Sequence, residues 1–90
     1  MKSCTIVVRG KVQGVYYRQT AREQALKLGL SGFVMNRDDG SVYIEAEGEE
    51  AALQQMADWC RKGPVLAKVT EVEFAITDTH HRYHGFIIRR

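Results

Sequence analysis

The sequence of 90 residues has little cysteine and proline, and it has no long hydrophobic run. The only two cysteines, Cys4 and Cys60, are too few for the disulfide framework of a secreted mini-domain and lack zinc-ligand spacing. We therefore expect reduced, buried thiols. The apolar run from Cys4 to Val8 is too short for a signal-peptide core or a membrane span. These absences predict a cytoplasmic protein with no membrane partner.

No sign of charge predominates in the sequence. The 13 basic and 11 acidic side chains give a net charge of +2, too weak a basicity to argue for nucleic-acid binding. This charge does not exclude the binding of small anionic ligands. With 44% hydrophobic residues, the composition predicts one globular domain over residues 1–90.

Hydrophobic periodicity predicts five strands and two helices. The strand segments are residues 4–10, 32–36, 42–47, 71–77 and 83–88. The first helix begins near Tyr17 and ends at Gly29, and the second begins at Glu49 or Glu50 and ends before Gly63. Turn-forming residues 36–40 predict a β-hairpin between the second and third strands. The order predicts an α/β (α+β) ferredoxin-like βαββαβ sandwich, with an antiparallel sheet and both helices on one face.

The segment from Gly10 to Arg18 joins the first strand to the first helix. Unpaired backbone N–H groups and the helix dipole favour an anion at such a junction, and Arg18 adds a planar cationic donor. The alternative interpretation is a tight turn at Gly14 with a solvated Arg18. The Walker A lysine and the GxGxxG pattern are both absent, which argues against a nucleotide site.

Two motifs resemble those of the acylphosphatase family. Residues 10–18 match Gly-x-Val-Gln-Gly-Val-x-Phe/Tyr-Arg, and residues 32–48 match Gly-aromatic-small-x-Asn, three residues, Gly-x-Val, five residues, Gly. The resemblance continues through Trp59, Gly63-Pro64 and the segment 85–89. It departs locally at Tyr16, where many members carry glycine or another small residue.

The resemblance implies a monomeric enzyme that hydrolyses small acyl phosphates to carboxylate and inorganic phosphate, without metal or other cofactor. It implies two catalytic residues, Arg18, which binds the phosphoryl group, and Asn36, which positions the attacking water. It also implies a phosphate-binding loop of Gln13, Gly14, Val15, Tyr16, Tyr17 and Arg18. Because an amide takes no proton at neutral pH, the phosphate of the substrate is the expected proton acceptor.

Other candidate residues favour structural roles. His80, His81 and His84 lack acidic or cysteine partners and are typical of an exposed loop. Asp38 and Asp39 are typical turn formers, and Lys11 is either a solvated side chain or a source of positive potential. Three aromatic residues are expected in the core: Tyr17, Phe33 and Trp59. Tyr16, in contrast, is free to line the mouth of the loop.

Two other classes of function remain as alternatives. An RNA-recognition domain shares the βαββαβ order, although its aromatic signature is absent here. A non-catalytic anion-binding, regulatory or interaction domain would keep the fold without the chemistry. The presence of both Arg18 and Asn36 argues against that reading.

Overall fold

The chain forms a five-stranded sheet with two helices packed on one face. A computed structural model describes residues 1–78 and 82–90. The elements in chain order are β1 (Lys2–Lys11), α1 (Tyr17–Lys27), β2 (Ser31–Asn36), β3 (Val42–Gly48), α2 (Glu50–Lys62), β4 (Lys68–Thr77) and β5 (Phe86–Arg89). The strand order is β4-β1-β3-β2-β5, so the predicted ferredoxin-like fold and its extra strand are confirmed.

The sheet is mixed rather than wholly antiparallel. The pairs β1–β4, β1–β3 and β2–β3 are antiparallel, as predicted. The short β5 instead pairs in parallel with β2, with Val34 opposite Ile88. The reason is topological, because the connection from β4 crosses to the far edge of the sheet and lets β5 run alongside β2. The prediction of an antiparallel sheet is therefore wrong at this edge.

The core lies between the helices and one face of the sheet. Alternate residues of β1 and β3 are fully buried there, as period-2 patterning requires. On the helices, the buried residues recur at intervals of three or four. The main contributors are Cys4, Ile6, Val8, Tyr17, Ala21, Ala25, Val42, Ile44, Leu53, Met56 and Cys60. Cys4 and Cys60 are both buried and free, as predicted.

The helix ends follow the predicted signals. At the end of α1, the Gly29 N–H donates to the Leu26 carbonyl and the Leu30 N–H to the Ala25 carbonyl, a Schellman motif with glycine in the left-handed conformation. Helix α2 carries Glu50 in its first turn and Arg61 and Lys62 in its last, in agreement with the helix dipole. In the part of the chain that the structure describes, no helix has the length and apolarity needed to cross a bilayer.

Candidate active site

The start of α1 is an unneutralised, uncapped helix end. Its N-cap residue, Tyr16, makes no side-chain capping hydrogen bond, and no acidic residue occupies the first turn. The first N–H groups of a helix have no partner within the helix, and the dipole places partial positive charge there. In addition, the first turn contains the cationic Arg18. This end of α1 is therefore suited to bind an anion.

Two left-handed residues shape the loop before α1. Gly14 has φ 72°, and Tyr16 has φ 63° and ψ 22°. A non-glycine residue in this region costs about 1–2 kcal/mol, because its Cβ approaches the following carbonyl oxygen. Thr20 offsets part of that cost, since its backbone N–H and its hydroxyl both donate to the Tyr16 carbonyl. The loop therefore turns sharply into α1 and presents the Tyr16 side chain to solvent.

Gln13 fastens this loop to the β2–β3 hairpin. Its side-chain nitrogen Nε2 donates to the carbonyl oxygen of Arg37 at 2.8 Å and to that of Ser41 at 2.9 Å. The Gln13 side chain is therefore engaged with the hairpin, so a role in phosphate binding falls to its backbone. Since Asn36 immediately precedes Arg37, the same two bonds connect the two motifs that the sequence singled out.

A cleft of about 480 Å³ opens over the loop and the start of α1. It is bounded by the loop between β1 and α1, by the first turn of α1 and by the C-terminal ends of β2 and β5. The residues that line it are Val12, Gly14, Tyr16, Tyr17, Arg18, Gln19, Asn36, Ile88 and Arg90. Two of these are arginines and none has a carboxylate side chain. The lining therefore favours an anionic ligand.

Arg18 and Asn36 both have unused hydrogen-bonding capacity in this cleft. Within residues 1–78 and 82–90, the Arg18 side chain donates no hydrogen bond and forms no ion pair. The Asn36 oxygen Oδ1 is buried and accepts no hydrogen bond in the same part of the chain. Buried amide oxygens are rarely left without a donor. The cleft thus combines a free guanidinium with an amide oxygen that lacks a donor.

The predicted loop residues divide between the cleft and the core. Gly14, Tyr16, Tyr17 and Arg18 line the cleft, whereas Val15 is buried below it. The Tyr17 side chain serves the core, because its hydroxyl donates to the Cys60 carbonyl at 2.7 Å and its ring lies 5.4 Å from that of Trp59. Tyr17 can therefore contribute only its backbone to an anion site.

Four cleft residues were not predicted from the sequence: Val12, Gln19, Ile88 and Arg90. Val12 lies inside the first motif and Gln19 directly follows it, so their positions in the sequence could have indicated that they line the cleft. Ile88 and Arg90 offered none. They reach the cleft because β5 pairs in parallel with β2, which brings the C-terminal residues beside Asn36 and α1.

The weaker polar candidates lie away from the cleft. Asp39 belongs to the β2–β3 turn, where hydrogen bonds from the hydroxyl and backbone N–H of Ser41, aided by Arg9, lower the pKa of its carboxyl to about 2. Asp38 is exposed in the same turn, and Lys11 is exposed at the end of β1. Neither lines the cleft.

The histidines add no metal site among the described residues. His84 is exposed and lies beside Glu47 and Tyr83, near the end of β2 opposite to Asn36. His80 and His81 fall outside the described residues. In residues 1–78 and 82–90, no group of three or more metal-ligating side chains is gathered. The cleft residues named above provide only guanidinium, amide and hydroxyl groups.

The outer face of the sheet carries an aromatic cluster. Phe33 lies on this face, not in the helix-side core, and is only 4% exposed. Its ring packs at 5.8 Å from Tyr83 and beneath the Arg89 guanidinium at 3.9 Å, while Arg37 covers Tyr43 at 4.0 Å. Because these rings are already covered, they do not offer the open stacking surface of an RNA-recognition domain.

The sequence and the fold were compared with those of known proteins. The acylphosphatase family profile matches residues 4–88. The acylphosphatase of Thermotoga maritima is 47% identical over 89 residues, covering 99% of this chain and 98% of that protein. The acylphosphatase of Pelotomaculum thermopropionicum is 42% identical over 83 residues, covering 92% of this chain and 90% of that protein.

The comparison of folds also matches this chain to an acylphosphatase. The crystal structure of acylphosphatase from Bacillus subtilis superposes with a TM-score of 0.97 at 39% sequence identity, and the match covers all of both chains. The predicted family resemblance is thus confirmed over nearly the whole chain. By its sequence and its fold, the chain belongs to the acylphosphatase family of enzymes, which hydrolyse acyl phosphates.

Proposed function

We propose that the cleft hydrolyses small acyl phosphates by direct attack of water on phosphorus. The bond from the water oxygen to phosphorus forms as the bond from phosphorus to the acyl oxygen breaks. The products are a carboxylate and inorganic phosphate. The observation that carries the proposal is that Arg18 and Asn36 line one cleft at an uncapped helix N-terminus. Among residues 1–78 and 82–90, the Arg18 guanidinium has no partner and the buried Asn36 oxygen Oδ1 has no donor.

In this mechanism Arg18 and the loop bind the phosphoryl group. The guanidinium donates to two phosphoryl oxygens at once, and N–H groups at the start of α1 donate to the equatorial oxygens. Their charge stabilises the transition state, in which negative charge is spread over those oxygens. Arg90 adds positive potential at the rim of the cleft. Catalysis is then a matter of position and electrostatics.

Asn36 positions the water in this mechanism. When the Asn36 side chain turns its buried Oδ1 toward the cleft, a water hydrogen supplies the donor that this oxygen lacks, and the bond fixes the water oxygen relative to the phosphorus. A neutral amide cannot remove the proton, so the proton passes to a phosphate oxygen of the substrate. The carboxylate is a good leaving group and needs no acid. The proposed mechanism uses no metal or other cofactor. We further propose that the protein is a cytoplasmic monomer with no nucleic-acid partner.

The test is hydrolysis of benzoyl phosphate by the wild type and by Arg18→Ala, with and without a chelator. The matched control is Arg61→Ala, which removes a guanidinium from the exposed face of α2, where it pairs with Asp58. We expect Arg18→Ala to lower kcat/KM about 10³-fold and Arg61→Ala to leave it unchanged. Turnover that needs a metal, or that survives in Arg18→Ala, would contradict the proposal.

Asn36→Ala separates the two roles. We expect this variant to lower kcat about 10²-fold while inorganic phosphate still competes with the substrate at nearly the wild-type inhibition constant. In Arg18→Ala, competition by phosphate should be lost. Equal loss of phosphate inhibition in both variants would refute the assignment of water to Asn36. A wild type that binds phosphate but hydrolyses nothing would favour the non-catalytic alternative.

A further inference from the structure

Two adjacent tyrosines at the start of α1 have opposite environments. The Tyr17 ring is buried, and its hydroxyl is bonded to the Cys60 carbonyl. Tyr16 is 68% exposed, and in residues 1–78 and 82–90 its hydroxyl makes no hydrogen bond and its ring pairs with no other ring. The Tyr16 side chain therefore stabilises neither the core nor the loop.

Tyr16 has a left-handed backbone conformation, which is unfavourable for a tyrosine. Its φ of 63° would be unstrained for glycine, whereas a tyrosine there raises the free energy of the folded state. An aromatic residue in a strained position that contributes no packing is a reason to look for a function. The place to look is the cleft, because the ring forms part of its wall.

The cleft has an apolar wall beside its anion-binding end. Tyr16, Val12 and Ile88 all line it, and Ile88 remains 38% exposed even though it lies on the helix side of β5, opposite the buried Val34. The neighbouring Ile87 lies opposite Phe33, on the outer face of the sheet, and does not line this cleft. An exposed ring and an exposed branched side chain thus line the same cleft as Arg18, the residue proposed to bind the phosphoryl group.

We propose that Tyr16, together with Ile88, selects acyl phosphates whose acyl group is flat and apolar. The inference rests on the proposed function, because the bound phosphate fixes which end of the substrate faces this wall. An aromatic acyl group packed against the Tyr16 ring would bury apolar surface on both partners and place two rings in contact. A two-carbon acyl group is too small to gain as much from the same wall.

A tyrosine at the mouth of the cleft could instead act as an obstruction, which would change the selectivity in the opposite direction. A bulky side chain that merely narrows the mouth would exclude large acyl groups. Removing the ring would then favour the larger substrate. The direction of the change in selectivity therefore distinguishes a packing surface from an obstruction.

The experiment measures kcat/KM for benzoyl phosphate and for acetyl phosphate and takes their ratio, which cancels changes common to both substrates. Tyr16→Asn removes the ring and keeps a residue that tolerates the left-handed conformation; Tyr16→Phe keeps the ring. We expect the benzoyl-to-acetyl ratio to fall about 10-fold in Tyr16→Asn, chiefly through KM, and to stay within twofold of the wild type in Tyr16→Phe.

Two neighbours in β5 supply the matched control. Ile88→Ala should lower the same ratio, and Ile87→Ala should not. An unchanged or increased ratio in Tyr16→Asn, or an equal fall in Ile87→Ala, would overturn the inference. If the wild type hydrolyses neither substrate, the proposed function itself fails, and the selectivity assigned to Tyr16 fails with it. If the wild type hydrolyses both with no effect of Tyr16, only the selectivity is refuted.

Discussion

The side-chain amide of Gln13 donates a hydrogen bond to the carbonyl oxygen of Arg37, the residue that directly follows Asn36. This contact joins the loop that precedes Arg18 to the end of the strand that carries Asn36. The two groups proposed for catalysis come from segments far apart in the sequence. Besides the pairing of the central strands, this bond, which neither group makes itself, helps to fix their relative position.

Gln13→Leu tests that dependence. The replacement keeps a similar volume but removes both donated bonds. Each carbonyl keeps another donor, Gly40 N–H for Arg37 and Arg37 N–H for Ser41, so we expect only about 1 kcal/mol of lost stability. We expect kcat/KM for benzoyl phosphate to fall about 10-fold or more, because misplaced groups lose their alignment.

The control for Gln13→Leu is Gln54→Leu, at an exposed position of α2. It should leave kcat/KM unchanged. Stability is followed by urea unfolding, and activity by release of inorganic phosphate. Wild-type kcat/KM in Gln13→Leu would show that the loop and the hairpin hold their positions without this bond.

Gly63→Ala should destabilise the fold through Tyr17. A Cβ at position 63 would lie 2.6 Å from Cε2 of the Tyr17 ring, in a backbone conformation with φ 66° and ψ −169°. The matched control is Gly85→Ala, where φ is 69° and no atom lies within 4 Å of the added Cβ. We expect Gly63→Ala to cost about 1–3 kcal/mol more than the control, measured by urea unfolding. Equal losses would mean that only the dihedral angle matters.

Asp39 should make stability depend on pH in the acid range. Its pKa is lowered from 3.8 to about 2, chiefly by hydrogen bonds from Ser41. A lowered folded-state pKa means that this contribution is fully present above pH 4 and is lost as the pH falls through about 2. Asp39→Ala should therefore lose less stability than the wild type between pH 4 and pH 2. The check is urea unfolding at several pH values, with the exposed neighbour Asp38→Ala as control.

A steeper acid loss in Asp39→Ala than in the wild type would contradict this linkage. The turn is also joined to β1 and β4 through Arg9, which pairs with both Asp39 and Glu73. These ion pairs are partly exposed and weak on their own. The Ser41 bonds therefore remain the main source of the expected pH dependence.

Cys4 and Cys60 should resist alkylation until the protein unfolds. Burial raises the pKa of each thiol to about 12, so at pH 8 roughly one thiol in 10⁴ is ionised. Iodoacetamide should modify both only in urea, as followed by mass spectrometry, while glutathione in the same tube reacts at its normal rate. Modification of the native protein at the rate of glutathione would show that a thiol is accessible.

Local signals in the sequence predict most of the fold. Acidic and basic residues at the two ends of α2, the glycine after α1 and the alternation in β3 each act within a few residues, so they can be recognised without knowing the rest of the structure. The two motifs likewise identify Arg18 and Asn36. What brings those two side chains into one cleft is the antiparallel pairing of central strands, which the ferredoxin-like order already implies.

Other features depend on long-range pairing and cannot be predicted from local patterns. The parallel register of β5 places Ile88 and Arg90 in the cleft, yet nothing near those residues indicates which strand they will join. Phe33 has the hydrophobicity of a core residue but is buried on the outer face beneath Arg89 and Tyr83. Its burial comes from these two residues, which are about fifty positions away in the sequence.

The bond from the Tyr17 hydroxyl to the Cys60 carbonyl has a consequence for local unfolding. Four residues after Cys60 the chain has Pro64, which lacks the N–H that would continue the helical ladder, so Tyr17 supplies the donor for that carbonyl. Helix ends ordinarily fray, but α1 cannot fray from its first turn without removing a buried tyrosine from the end of α2. The hydrogen-bonded amides of α1, which begin with the Thr20 N–H that donates to the Tyr16 carbonyl, should therefore exchange with solvent deuterium about as slowly as those of the core. The end of α1 that we propose to bind the phosphoryl group would then lose its order only when the two helices separate.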